Sequence, residues 1–207
     1  MQSNNRNTKK YLSGWNLTKI VSLLLIVNVI ITVVFLDINN KETISVLIRS
    51  TAKFSFVLFI MAFSASSYYY FFKNFFTRWI LANRRYLGVA FAVSHYLHLF
   101  TLLLMTFYIS FNVFEDRGLF TTIGGAIGYA FITIMTITSF DRTKNLLNPK
   151  NWKLVHTIGG YYLWIIFAKS YLPNLLDDPI AALFSILAVS ALLLKLLKAI
   201  KSKKKGK

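Results

Sequence analysis

Six apolar runs separated by short polar breaks set the pattern of this chain. They lie at about 17–36, 54–72, 87–111, 121–140, 152–171 and 180–197. Each is close to the roughly 20 residues that a helix needs to cross a bilayer. The pattern predicts an all-α, polytopic membrane protein: a six-transmembrane-helix bundle over 17–198. A polar tail, 1–16, precedes it and a basic tail, 199–207, follows. The first run has a positive flank like a signal sequence. Its apolar core is longer, and no small-residue cleavage site follows, so it reads as an uncleaved first helix. The segment Ile44–Lys53 is ambiguous, and it reads as the start of the second helix with Arg49 and Lys53 snorkelling to the headgroups. No internal repeat or long linker is present.

The breaks give the bundle a direction. Nineteen of the 24 Lys and Arg residues fall on one side of a six-span arrangement, among them Arg84, Arg85, Lys150, Lys153 and the seven lysines between Lys195 and Lys207. Six of the seven acids (Asp37, Glu42, Glu115, Asp116, Asp177 and Asp178) fall on the other, with Asp141 the exception. This is the positive-inside distribution, and it predicts cytoplasmic N- and C-termini in the inner (plasma) membrane. It also changes the meaning of the net charge of +17. The lysine tail lacks interleaved aromatics, so it reads as a solvated or lipid-facing anchor, with membrane lipids as its partner and no nucleic acid.

The 207 residues are 56% hydrophobic, only 15% are charged, and the mean hydropathy is +0.54. One helix bundle uses the whole length, leaving no room for a soluble catalytic domain. Cysteine is absent, which excludes disulfides, thiolate catalysis and iron–sulfur clusters. Redox chemistry here would have to use histidine, a bound cofactor, or both.

All three histidines of the chain lie within the apolar runs. His95 and His98 sit in span 3, three residues apart and about 60° apart around a helix. His156 sits in span 5. An ionisable side chain at membrane depth is costly and points to function. Gly88, Ala92 and His95 share one stripe, and Gly160 lies one turn beyond His156, so small residues flank histidines on both helices. One histidine on each of two helices beside small residues suits bis-histidine ligation of a haem. Zinc would want about four ligands, and the spans offer no carboxylate or cysteine to complete a set. In the plainer alternative, each histidine bonds a backbone carbonyl or a serine such as Ser94. Gly124 and Gly128 in span 4 have the small-xxx-small spacing of close helix packing.

Several stretches resemble the bacterial ferric reductase-like transmembrane domain family. They are Arg49–Ser55, Ala62–Ser66, the run Asn83-Arg84-Arg85-Tyr86-Leu87-Gly88 through His98, Thr138–Asp141, and Trp152–Trp164 with His156 inside it. The chain is more distantly similar to the haem-binding membrane subunit of periplasmic methionine sulfoxide reductase and to NADPH oxidase membrane domains. The resemblance covers spans 2 to 5. It implies a haem b-binding oxidoreductase component that passes electrons across the membrane, with His98 and His156 on the haem iron and His95 as the alternative to His98. Such domains carry a second histidine 13 or 14 residues further along span 5, where this chain has Lys169 and Ser170. One haem is therefore expected rather than two, with a flavin or quinone as a further candidate. A separate donor and acceptor protein, or a quinol, would complete the path.

Depth leaves the ligand set open. At about 1.5 Å per residue, His95 lies roughly 15 Å and His98 roughly 20 Å beyond Arg85, whereas His156 lies about 5 Å beyond Lys153. Either helix tilt brings them level, or His156 and the His95–His98 pair serve different levels. A chain without haem, a membrane scaffold or partner subunit with structural histidines, is the competing expectation.

Overall fold

The computed structural model describes residues 12–35, 40–108 and 118–205, except for the side chains of Tyr108, Lys144 and Lys205. These residues form seven α-helices with short turns between them: α1 Gly14–Phe35, α2 Lys41–Phe72, α3 Phe75–Ala82, α4 Arg84–Tyr108, α5 Leu119–Ile137, α6 Pro149–Tyr171 and α7 Pro179–Lys205. Asp37, Glu115 and Asp116, used above to orient the bundle, lie outside the described residues, as does the far end of the third predicted span.

Local chemistry fixes the helix ends. Asn40 caps α2, its side chain accepting the Glu42 N–H at 2.8 Å, and the Glu42 charge suits the positive end of the helix dipole. The second helix thus starts well before residue 54 and runs 32 residues, carrying Arg49 and Lys53 within it. Its apolar stripe simply continues upstream through the buried Ile44, Leu47 and Ile48. Lys73 ends α2 in the left-handed region, at φ 34°. The break before the third span is not a plain loop. Asn74 and Thr77 form a reciprocal capping box that starts α3, an eight-residue helix. Pro149 opens α6 behind its cap Asn148, as its fixed φ favours.

Five helices, α1, α2, α4, α5 and α7, are long and apolar enough to cross a membrane, so the chain is an all-helical, multi-pass membrane protein. α6, the fifth of the six predicted spans, has the length at 23 residues, but its lysines, histidine, glycines and tyrosines hold its hydropathy down. Backbone contacts close a circle in the order α4, α2, α7, α6, α5 and back to α4, with α1 packed outside against α4 and α3 tucked under α2 and α4. Aromatic side chains fill the interior. Phe56 meets Phe167, Tyr171 and Phe184, while Phe59 meets Phe63, Phe91 and Phe167. The outward faces are apolar as well: Leu23, Leu24 and Val34 of α1 and Ile186 of α7 are all at least 60% exposed. That inversion suits lipid as the solvent.

The glycines of α5 pack against α6. A Cβ on Gly128 would stand 3.1 Å from Ile166 Cδ1, and one on Gly124 would stand 3.7 Å from the Tyr162 hydroxyl. The tightest approach is on α6, where a Cβ on Gly159 would meet Met135 Sδ at 2.6 Å and Phe131 Cδ1 at 2.9 Å. Small residues at a helix crossing let backbones approach closely, which is how membrane helices gain dispersion energy.

Candidate functional site: a buried histidine pair and a separate third histidine

α2 and α4 meet through a column of buried hydroxyls. Ser55 and Ser94, 0% and 1% exposed, lie 2.9 Å apart, and Ser55 donates to the Thr51 carbonyl at 2.8 Å. One turn along α2, Thr51 donates to the Leu47 carbonyl at 2.9 Å, and about two turns along α4, Thr101 donates to the His98 carbonyl at 2.8 Å. Polar side chains at four- and seven-residue spacing (51/55 and 94/101) thus form one interhelical seam.

His98 docks into this seam. Its Nδ1 is 3.2 Å from the Ile48 carbonyl and 3.2 Å from Thr51 Oγ1. A carbonyl only accepts, and the Thr51 hydroxyl proton is committed to Leu47, so Nδ1 carries the imidazole proton and Nε2 is the basic nitrogen. Imidazoles that coordinate metals are held in this way, with the other ring N–H donated to a carbonyl or carboxylate. Ser94 is not the histidine's partner; it bonds Ser55 instead.

His95 lies beside it, ring centroids 5.4 Å apart. The Tyr129 ring stacks on it at 5.0 Å, and Phe91 and Phe167 close in at 5.5 and 5.7 Å. Tyr129 donates its hydroxyl to the His95 carbonyl at 3.0 Å, which holds α5 against α4 at this level. His95 Nδ1 is buried without a hydrogen-bond partner. Buried polar atoms are rarely left so, and an orphan of this kind calls for an explanation.

His156 is elsewhere. Its ring stacks on Trp152 at 4.1 Å, and its Nε2 is 3.1 Å from Thr138 Oγ1. Thr138 gives its own proton to the Ile134 carbonyl at 2.8 Å, so His156 Nε2 is the donor and Nδ1 the basic nitrogen. Next to Thr138, Arg85 bonds the Ser139 carbonyl and pairs with Asp141 at 2.9 Å. Arg84 lies within electrostatic reach of His156. The third histidine therefore sits at the level of the two arginines that begin α4.

Position along α5 measures the gap. Tyr129, beside His95, and Thr138, beside His156, are nine residues apart, which is about 14 Å of helix rise. Two imidazoles on one iron need nitrogens only a few ångströms apart. Of the two arrangements that the sequence leaves open, this geometry is the one with two levels: His95 and His98 together, His156 apart. Lys169 and Ser170 are exposed near the far end of α6. Among the described residues no three His, Asp or Glu side chains gather as a metal-binding group.

The residues at the histidine pair fit a haem ligand role in two respects, the carbonyl-oriented His98 and the unpartnered His95 Nδ1. The Thr51–Ser55–Ser94–Thr101 seam and Tyr129 were not legible as partners from the sequence. Their only signal is hydroxyl spacing within apolar helices. No family model, curated protein or solved structure matches this chain.

Proposed function

We propose that this chain is a haem b-binding membrane electron-transfer protein of ferric reductase-like type, with the His95–His98 pair as its cofactor level. The observation that carries the reading is the Ile48 carbonyl on His98 Nδ1, which fixes the ring's orientation and tautomer as in metal-binding imidazoles. His95, with its buried unpartnered Nδ1, is the second candidate ligand. Haem would supply a one-electron carrier in the apolar interior. The chain's own residues set the His98 tautomer through Ile48 and Thr51, brace His95 against Tyr129, and exclude water with Phe91 and Phe167. In this reading six helices cross the inner (plasma) membrane with both termini cytoplasmic. Electrons pass from a separate donor protein, a quinol or a flavin at the Arg84–Arg85 end to an acceptor at the other.

A second reading has a specific observation behind it. The Thr138–His156 bond, which holds the third histidine apart from the other two, is what a structural histidine in a membrane scaffold or partner subunit would show. An absorption spectrum of detergent-purified protein expressed with ample haem separates the two. The haem reading expects a reducible b-type Soret and α band that is lost in His98→Ala and kept in Thr138→Val. A colourless wild-type protein refutes haem binding and leaves the scaffold.

A further inference from the structure

Three cations from two helices converge on one stretch of α2 backbone. Arg84 Nε donates to the Ala62 carbonyl at 3.1 Å, Lys195 Nζ to the Phe63 carbonyl at 3.2 Å, and Lys198 Nζ to the Ser66 carbonyl at 3.1 Å. Residues 62 to 66 span only about 6 Å of helix rise, so the three positive charges crowd together. Lys195 lies within electrostatic reach of both Arg84 and Lys198.

Aromatic faces hold the ammonium groups in place. Lys195 Nζ stands 3.8 Å from the Phe63 ring centre and 5.2 Å from that of Tyr161, and Lys198 Nζ stands 5.9 Å from that of Tyr70. Lys201 continues the strip over Phe71 at 5.2 Å. The stretch of α7 from Lys195 to Lys201 is thus not a free basic tail but is laid along α2.

Among the described residues the cluster has no counter-charge. The carbonyls it touches offer partial charge only. Asp141 is paired with Arg85, the one ion pair among the described residues. Glu42 stands at the opposite end of α2, and Asp177 and Asp178 precede α7 at its opposite end. Half-buried like charges with no opposing carboxylate are costly, and an anion relieves that cost. Lys195 and Lys198 are only half-buried, which leaves the cluster accessible. Phe72 at the end of α2 and Phe75 and Phe76 at the start of α3 are each more than half exposed and offer acyl chains an apolar surface. Basic pockets between membrane helices commonly take phosphate headgroups.

We propose that the cleft formed by Arg84, Lys195 and Lys198 on residues 62–66 of α2 binds a phosphate group, carried by an anionic phospholipid headgroup or present as free phosphate. The site is independent of the His95–His98 pair and of whether haem is bound.

The test uses the full chain, purified in detergent and stripped of lipid. Its thermal midpoint is followed during titration with phosphatidylglycerol, phosphatidylcholine or inorganic phosphate. Phosphatidylglycerol should raise the midpoint at concentrations where phosphatidylcholine does not. Lys195→Gln and Lys198→Gln each keep a donor for the α2 carbonyl but remove the charge. Each should weaken the response about tenfold, the loss of one charge-assisted contact. Lys195→Arg should preserve it. A matching response to inorganic phosphate alone supports the same site with the free anion as occupant. Equal responses to both lipids, or no change in the Gln variants, overturn the proposal. If Lys195→Gln does not fold by circular dichroism, Lys198→Gln and Lys195→Arg decide it.

Discussion

Gly159 lies three residues beyond His156 and sets how closely α6 approaches α5, and hence whether Thr138 reaches the His156 ring. In Gly159→Ala the new methyl would overlap Met135 Sδ at 2.6 Å and Phe131 Cδ1 at 2.9 Å. The methionine can swing aside; the phenylalanine ring, packed against Tyr162 at 5.4 Å, has less freedom. Overpacking of this kind costs about 1–3 kcal/mol. Against it stands the intrinsic preference of a helix for alanine over glycine, up to about 1 kcal/mol. Gly125→Ala provides the reference, because a Cβ there meets nothing within 4 Å and the variant gains propensity without overlap. The difference between the two variants cancels propensity and isolates packing, at about 1–3 kcal/mol. At roughly 2–4 °C per kcal/mol for a chain of this size, Gly159→Ala should melt several degrees below Gly125→Ala. Tryptophan fluorescence in detergent during heating reads the midpoints. Adding Met135→Ala should recover part of the loss, a non-additivity expected only if the two side chains share the space. Equal midpoints for the two alanine variants would refute the close α5–α6 crossing.

Other expectations follow from single contacts. Asn83 is 3% exposed, accepts the Gly14 N–H at 2.8 Å and donates to the Trp79 carbonyl at 2.9 Å, joining α1, α3 and α4. Asn83→Ala strands the Gly14 N–H, while the Trp79 carbonyl keeps the backbone N–H of residue 83 at 3.0 Å, and it should cost about 1–3 kcal/mol in detergent unfolding. Asp141→Asn removes the charge that faces Arg85 across an exposed pair. It should change stability by less than about 1 kcal/mol and lose its effect at high salt, which a salt series of melting curves would show. For the orientation, a reporter fused after Lys207 should read cytoplasmic and one inserted at Asn174 should read external. The reverse result would sink the positive-inside assignment.

Much of the architecture was legible because it depends on one helix at a time. Apolar runs of the right length become membrane-crossing helices whatever they pack against, and five did so by length and composition. Short-range chemistry is partly readable as well: Pro149, with its fixed φ, begins α6, whereas the Asn74–Thr77 capping box that makes α3 lies inside a polar break. The glycine spacing of α5 pointed to close packing, but the tightest point proved to be Gly159. Which glycine is closest depends on the partner's side chains.

The sequence by itself determined an all-helical, lipid-facing chain with its positive charge gathered at some loops and one terminus, and three histidines as its costly interior groups. Only the tertiary structure decided which of these groups meet. Covalent geometry fixes the rise along one helix but not the offset between two. That offset comes from contacts such as Arg85 with Asp141, Trp152 Nε1 on the Thr138 carbonyl and Tyr129 on the His95 carbonyl. They put His156 beside Thr138 and the arginines, keep His95 and His98 about two and a half turns away, and bring Lys195 and Lys198 from the far end of the chain onto α2.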